Sequence, residues 1–276
     1  ALFMPAYLSE SDDLGVKIAS VFPRNLEMGL PTIFALMVVV EAASGRPLAV
    51  MDGTYLTALR TGAASGAATD LLAREDARVA AIFGAGAQGR TQLLAVCEVR
   101  DIEAAWVYDV NPQAAERYVR EMAGQGRIPA LRVASSPIEA VREADVVCTA
   151  TTSKTPAFAD ADLKPGVHIN AVGSFTPQMQ EIPEQTVTRA RLVVGSREGC
   201  LAETGDIIIP IRKGLIGQSH IYAELGEIVA GMKPGRKSAE EITLFKSVGN
   251  AVQDVSVARA VLTQAEALGL GIEVEV

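Results

Sequence analysis

Cysteine, histidine and tryptophan are scarce in these 276 residues, at three, two and one. Cys97, Cys148 and Cys200 stand far apart, with no C-x-x-C pair, and His168 and His220 are equally separated. That removes the spacings of structural zinc sites and of zinc hydrolases, so no metal is expected. An odd set of lone cysteines reads as the reduced thiols of a cytoplasmic protein, and Cys148, inside an apolar run, reads as core. Basic residues are too few to form a stripe: 25 Lys and Arg against 33 Asp and Glu leave a net charge of −8. Nucleic acid and anionic membrane are therefore poor partners. The longest apolar stretch, Ile33 to Val40, is too short to span a bilayer. No signal-peptide pattern opens the chain, whose first residue is Ala1 rather than methionine. G-x-S-x-G, Walker A and H-E-x-x-H sequences, internal repeats and low-complexity tracts are all missing. What remains, at 49% hydrophobic residues, is enough for one or two packed domains.

The most informative segment present is Gly84-Ala85-Gly86-Ala87-Gln88-Gly89, which directly follows the apolar run Val79–Phe83. Asp109 closes the next apolar run, Ala104–Tyr108, twenty residues beyond Gly89. Strand, glycines, helix and acid in this order form the dinucleotide fingerprint. The first glycine permits the turn, the second admits a pyrophosphate and the third lets helix pack on strand. The helix start, with Ala87 and Gln88, offers unpaired N–H groups to phosphate. A carboxylate at Asp109 accepts from ribose hydroxyls and repels a 2′-phosphate, so NAD(H) is expected over NADP(H).

Six short apolar runs, 79–83, 104–108, 131–134, 145–150, 168–173 and 191–195, alternate with helical stretches at 87–99, 112–123 and 136–143. Near-continuous apolar runs suit parallel strands buried on both faces, and Pro112 and Pro137 suit helix starts. This predicts an α/β doubly wound parallel sheet of the Rossmann kind. Before it, Val16–Phe22 and Thr32–Glu41 read as strands, Ala43-Ser44-Gly45 as a turn and Pro47–Met51 as a returning strand. Tyr55–Leu72 reads as a helix crowded with small residues, able to approach a neighbour closely. Ala239–Leu268 reads as one long or broken helical stretch ended by Gly269. The expected organisation is a Rossmann domain over 76–236, inserted in a second, discontinuous α+β substrate and dimerisation domain formed by 1–75 and 237–276.

Further segments accompany the fingerprint: Gly15-Val16-Lys17, Pro23-Arg24-Asn25, Gly29-Leu30-Pro31-Thr32, Leu48–Gly53, Leu56–Ala63, His168–Gly173 and Gly249–Asp254. Together they resemble the ornithine cyclodeaminase/mu-crystallin family over nearly the whole chain. The resemblance implies a homodimer, bound NAD or NADP, and hydride transfer at a carbon that bears nitrogen. Family activities include alanine dehydrogenation, reduction of cyclic ketimines and ornithine cyclodeamination, in which NAD is recycled. A crystallin-like member that binds cofactor without catalysis is a further alternative. The family usually has another N-terminal strand–helix segment with a basic substrate-binding residue, so one pocket group is expected outside these residues.

By pattern alone, Lys17 in Val16–Ser20 reads as a solvated strand lysine. The resemblance instead implies an active-site lysine that binds the substrate carboxylate or polarises the imine. Arg60, flanked by Ala58, Leu59 and Ala63 rather than by charges, has the fork that suits a carboxylate or phosphate. The resemblance places it near substrate and nicotinamide, Thr61 near a cofactor phosphate, and Thr32 in the substrate pocket. Thr149, Ala150, Thr151 and Thr152 end the fourth run of the sheet and Val172 and Gly173 the fifth, where open α/β sheets hold their ligands. Asp254 reads equally as a helix-face carboxylate or a pocket residue. Phe175 stands where cyclodeaminating members carry an aspartate for acid–base work. A phenyl ring moves no proton, so an NAD-dependent amino acid dehydrogenase or imine reductase acting on a small amino or imino acid is expected. An acid supplied from elsewhere stays open, with Glu181, Glu203 and Asp206 nearby in sequence.

Overall fold

A computed structural model describes residues 1–275, leaving out the side chains of Pro23 and Leu26. Pro23 of the family-like segments thus has its side chain outside the described residues, as does Val276 at the end of the expected 237–276 stretch. The first strands are β1 (Leu2–Leu8), β2 (Asp13–Val21), β3 (Ile33–Glu41) and β4 (Pro47–Asp52), followed by helix α1 (Gly53–Leu72). Then come β5 (Val79–Phe83), α2 (Ala87–Val99), β6 (Ala104–Tyr108), α3 (Pro112–Met122), β7 (Ala130–Val133), α4 (Pro137–Val141), β8 (Val146–Thr149) and β9 (His168–Ala171). The chain continues through α5 (Glu184–Arg189), β10 (Arg191–Val194), α6 (Arg197–Glu203), α7 (Gly205–Arg212), β11 (Ile221–Glu224), α8 (Leu225–Val229), β12 (Thr243–Lys246) and α9 (Ala251–Leu268).

Two units result, one of 1–60 with 250–276 and one of 61–249. The breaks fall at 60/61 and 249/250 rather than at the expected 75/76 and 236/237. The reason is packing. The small residues of α1 meet α2, where a Cβ on Gly62 would strike the Thr91 backbone and one on Gly66 would press on Ala95. The expected helical stretch from Ala239 also needs correction, because it begins with strand β12, which sits inside the parallel sheet.

In the first unit β1 to β4 form an antiparallel meander in chain order. Strand β1 was not anticipated: Pro5 argues against a strand, yet β1 is an edge, where a missing N–H is tolerated. Helix α9 packs on β1, β2 and β3. Met37, Val39, Leu56, Val255 and Ala258 fill the space beneath it. Period-two alternation then puts Gly15, Lys17 and Ala19 on this covered face of β2. The opposite face is apolar and open. Phe3 lies opposite Ile18 and Ile18 opposite Leu36, while Pro5, Val16, Val38 and Val50 align in the same way. Phe3, Leu36 and Val50 are exposed on it.

The second unit is an eight-stranded parallel sheet ordered β11-β10-β12-β9-β8-β5-β6-β7. The six predicted strands are present, and β11 and β12 are additional. Apolar clusters cover both faces, one built around Phe83, Val147 and Ile169, the other around Ile82, Leu93 and Tyr118. Strand order reverses between β5 and β8, which is the switch point where such sheets bind ligands at the strands' carboxyl ends.

Candidate active site

The glycine loop occupies the β5 side of that switch point. Gly84 has φ +99°, a conformation that L side chains rarely adopt, and a Cβ there would strike the Ala150 carbonyl. A Cβ on Gly89 would strike the Gly84 carbonyl. These two glycines are required by the turn and by helix packing, and Tyr118 Oη fastens the loop by donating to Gly89 O at 2.9 Å. Gly86 differs, since a Cβ there meets nothing within 4 Å. Packing does not demand glycine at this position, whereas a pyrophosphate lying against the backbone would. Gly86 caps α2 with no side-chain partner, Ala87 is exposed, and the buried Gln88 Oε1 accepts no hydrogen bond. Asp109 holds the rim: Oδ2 accepts from Ala85 N at 2.8 Å and Oδ1 from Asn111 N at 2.9 Å. Two bonds leave acceptor capacity on this carboxylate for ribose hydroxyls. These residues fit a dinucleotide.

On the β8 and β9 side, Thr149 is fully buried, Ala150, Thr151 and Val172 are half-buried, and Thr152 is exposed. The three acids named as nearby in sequence separate sharply. Glu203 is on the surface, whereas Glu181 and Asp206 are buried. Glu181 accepts from Thr149, Thr151, Gly173 and Ser174, and Asp206 is 3.0 Å from Lys246 Nζ. Burial pushes the Glu181 carboxyl up, Lys246 opposes this and Asp206 adds to it. Phe175 is 42% exposed.

The first unit contains a separate cluster. Lys17 is 2% exposed rather than solvated, and its Nζ lies 2.6 Å from Asp254 Oδ2. Arg60 Nε donates to Asp254 Oδ1 at 2.9 Å and Nη1 to Gln253 Oε1 at 3.1 Å. Asp254 sits in the first turn of α9, capped by Asn250, so the helix dipole also favours its charge. Asp254 thus forms a buried bridge between two cations. Desolvation lowers the Lys17 pKa, the Arg60 charge lowers it further, and Asp254 opposes both. Two cations against one carboxylate leave a positive excess. Thr32 lies one residue before β3, half-buried, with its carbonyl accepting from Phe22 N at 2.8 Å. Thr61 is buried on α1. Sequence reasoning missed Gln253 and Lys246, which no spacing singles out, and it named Glu181 and Asp206 without foreseeing that they meet.

Fold and glycine loop define a Rossmann-type α/β protein with a discontinuous second unit. The chain belongs to the ornithine cyclodeaminase/mu-crystallin family, whose profile matches residues 2–268. It is 44% identical over 279 residues to a Delta(1)-pyrroline-2-carboxylate reductase of Bacillus cereus, covering 100% of this chain and 84% of the relative. Among solved structures it is similar to the Thermococcus litoralis Delta(1)-pyrroline-2-carboxylate reductase in complex with NADH and L-proline. The TM-score is 0.95 at 46% identity, covering 99% of this chain and 84% of the other. An archaeal alanine dehydrogenase dimer with bound NAD matches with a TM-score of 0.91 at 38% identity, covering 99% and 83%.

Proposed function

We propose that this protein is an NAD-dependent oxidoreductase that reduces a cyclic α-imino acid of the pyrroline-2-carboxylate kind to the corresponding amino acid. The observation that carries the reading is the buried Lys17–Asp254–Arg60 cluster with its positive excess. Bound NADH would supply the hydride to the imine carbon. Arg60 offers its fork to the substrate carboxylate. Lys17 donates an N–H to the imine nitrogen, polarising the C=N bond, and holds the proton that the product amine needs. Its lowered pKa brings that proton closer to transfer at neutral pH. Asp254 keeps both cations oriented. Similarity to the two pyrroline-2-carboxylate reductases supports this substrate class. Phe175, unable to carry a proton, argues against cyclodeamination.

The Asp109 carboxylate favours NADH over NADPH by charge repulsion of a 2′-phosphate. The open apolar face of β1 to β4 fits a second copy of this chain, making a homodimer. Three free, buried cysteines suit a reducing, cytoplasmic setting, and among the described residues no helix is long and apolar enough to cross a membrane. The test is NADH consumption with pyrroline-2-carboxylate, its six-membered homologue, and pyruvate plus ammonia, alongside ornithine. Fastest turnover of the cyclic imines is expected. Proline and ammonia from ornithine without net NADH use would overturn the reading in favour of a lyase.

A further inference from the structure

The carboxyl ends of β8 and β9 run into two irregular segments, 150–152 and 172–174. Ala150 N and Val172 N still bond to the neighbouring strands, at Phe83 O and Thr149 O, but the N–H groups of Thr151, Gly173 and Ser174 beyond them must find other partners. One side chain meets this need for both. Glu181 Oε1 accepts from Thr151 N at 2.6 Å and Thr151 Oγ1 at 2.8 Å. Oε2 accepts from Gly173 N at 2.7 Å, Ser174 N at 3.0 Å and Thr149 Oγ1 at 3.0 Å. A Cβ on Gly173 would collide with the Thr151 backbone and the Glu181 carboxylate, so glycine is what lets the segments close on that carboxylate. Glu181 is itself anchored: Asp206 Oδ1 accepts from Glu181 N at 2.7 Å and Ile182 N at 3.0 Å, and Asp206 Oδ2 faces Lys246 Nζ at 3.0 Å. All three side chains are buried, and both oxygens of Glu181 are taken up by these protein donors.

The sheet order decides which half of a dinucleotide these segments serve. The glycine loop and Asp109 lie at the ends of β5 and β6 and suit pyrophosphate and adenosine. The opposite side of the switch point, at β8 and β9, is left for the nicotinamide end. We propose that Glu181 is a positioning residue that shapes the nicotinamide half of the cofactor site, tying the 150–152 and 172–174 segments together through one carboxylate. This rests on the dinucleotide reading above.

The test compares NADH with ADP-ribose, which lacks the nicotinamide, by titration of the full chain. Glu181→Gln keeps the shape but turns an NH2 group toward backbone N–H donors, so one segment is released. Affinity for NADH is expected to fall about tenfold or more, with ADP-ribose affinity held within about twofold. Where Glu181→Gln does not fold, Thr149→Val serves, since this buried hydroxyl removes only one donor; about a threefold loss for NADH alone is expected. An equal loss for both ligands, or no loss for NADH, overturns the proposal. Wild-type protein that binds neither ligand would remove the dinucleotide reading as well, which separates the two failures.

Discussion

The two buried charge clusters, one in each unit, have opposite balances. Lys17, Arg60 and Asp254 carry two cations for one acid, whereas Glu181, Asp206 and Lys246 carry two acids for one cation. The second balances its excess internally, because three backbone N–H groups and two hydroxyls converge on Glu181. In the first, Arg60 also bonds the neutral Gln253, so the positive excess of the cluster is the feature on which the proposed substrate role rests. Burial alone therefore does not separate a structural cluster from a chemical one; the count of donors and acceptors around it does.

The sharpest way to break this contrast is Lys17→Met. If the first cluster does the chemistry, kcat/KM for the imine falls by about 10³-fold with NADH affinity unchanged, measured by steady-state rates and NADH fluorescence titration. Near-wild-type turnover would end the distinction. Asp254→Asn comes next, since it leaves two buried cations without a counter-charge. Folding stability of the first unit is expected to drop by about 3 kcal/mol or more, read by denaturant or thermal melting. The same variant sharpens the pH behaviour. Lys17 must hold a proton for reduction, so activity is lost as pH rises through its pKa, which lies below the ordinary lysine value. Asp254 raises that pKa, so removing its charge should move the alkaline limb of the kcat profile to lower pH.

Within the second unit, Gly86→Ala tests the open space above the loop. A methyl group there meets no protein atom, so the melting temperature should hold while NADH affinity falls about tenfold. The smallest effect is expected from Asp109→Asn, which removes the charge but keeps the shape. The ratio of kcat/KM for NADH over NADPH should fall by a few-fold, roughly 1 kcal/mol of lost discrimination.

The features legible in the sequence are those written in short, local spacing. The strand, three glycines, helix and acid of the fingerprint span 79–109, and α2 begins and ends where its periodicity predicts. Lys17 and Asp254 meet only because β2 and α9 pack together, and no local pattern couples positions so far apart. Read as a strand lysine, Lys17 belongs in water; a partner from the other end of the chain reverses that. Strand β12 was hidden for a related reason. Thr243-Leu244-Phe245-Lys246 is one short apolar run beside a long helix, and Lys246 at its end looks like a solvent boundary until Asp206 is placed against it.

The position of β12 also orders events at the ribosome. It pairs with β9 on one side and β10 on the other, although both precede it by some fifty residues or more. Until Thr243–Lys246 has been synthesised and released, the parallel sheet exists as two pieces, each with an unpaired inner edge. A nascent chain that ends before this strand thus exposes two sticky borders at the middle of its own core. Insertion of this late strand between β9 and β10 is the event that seals the sheet.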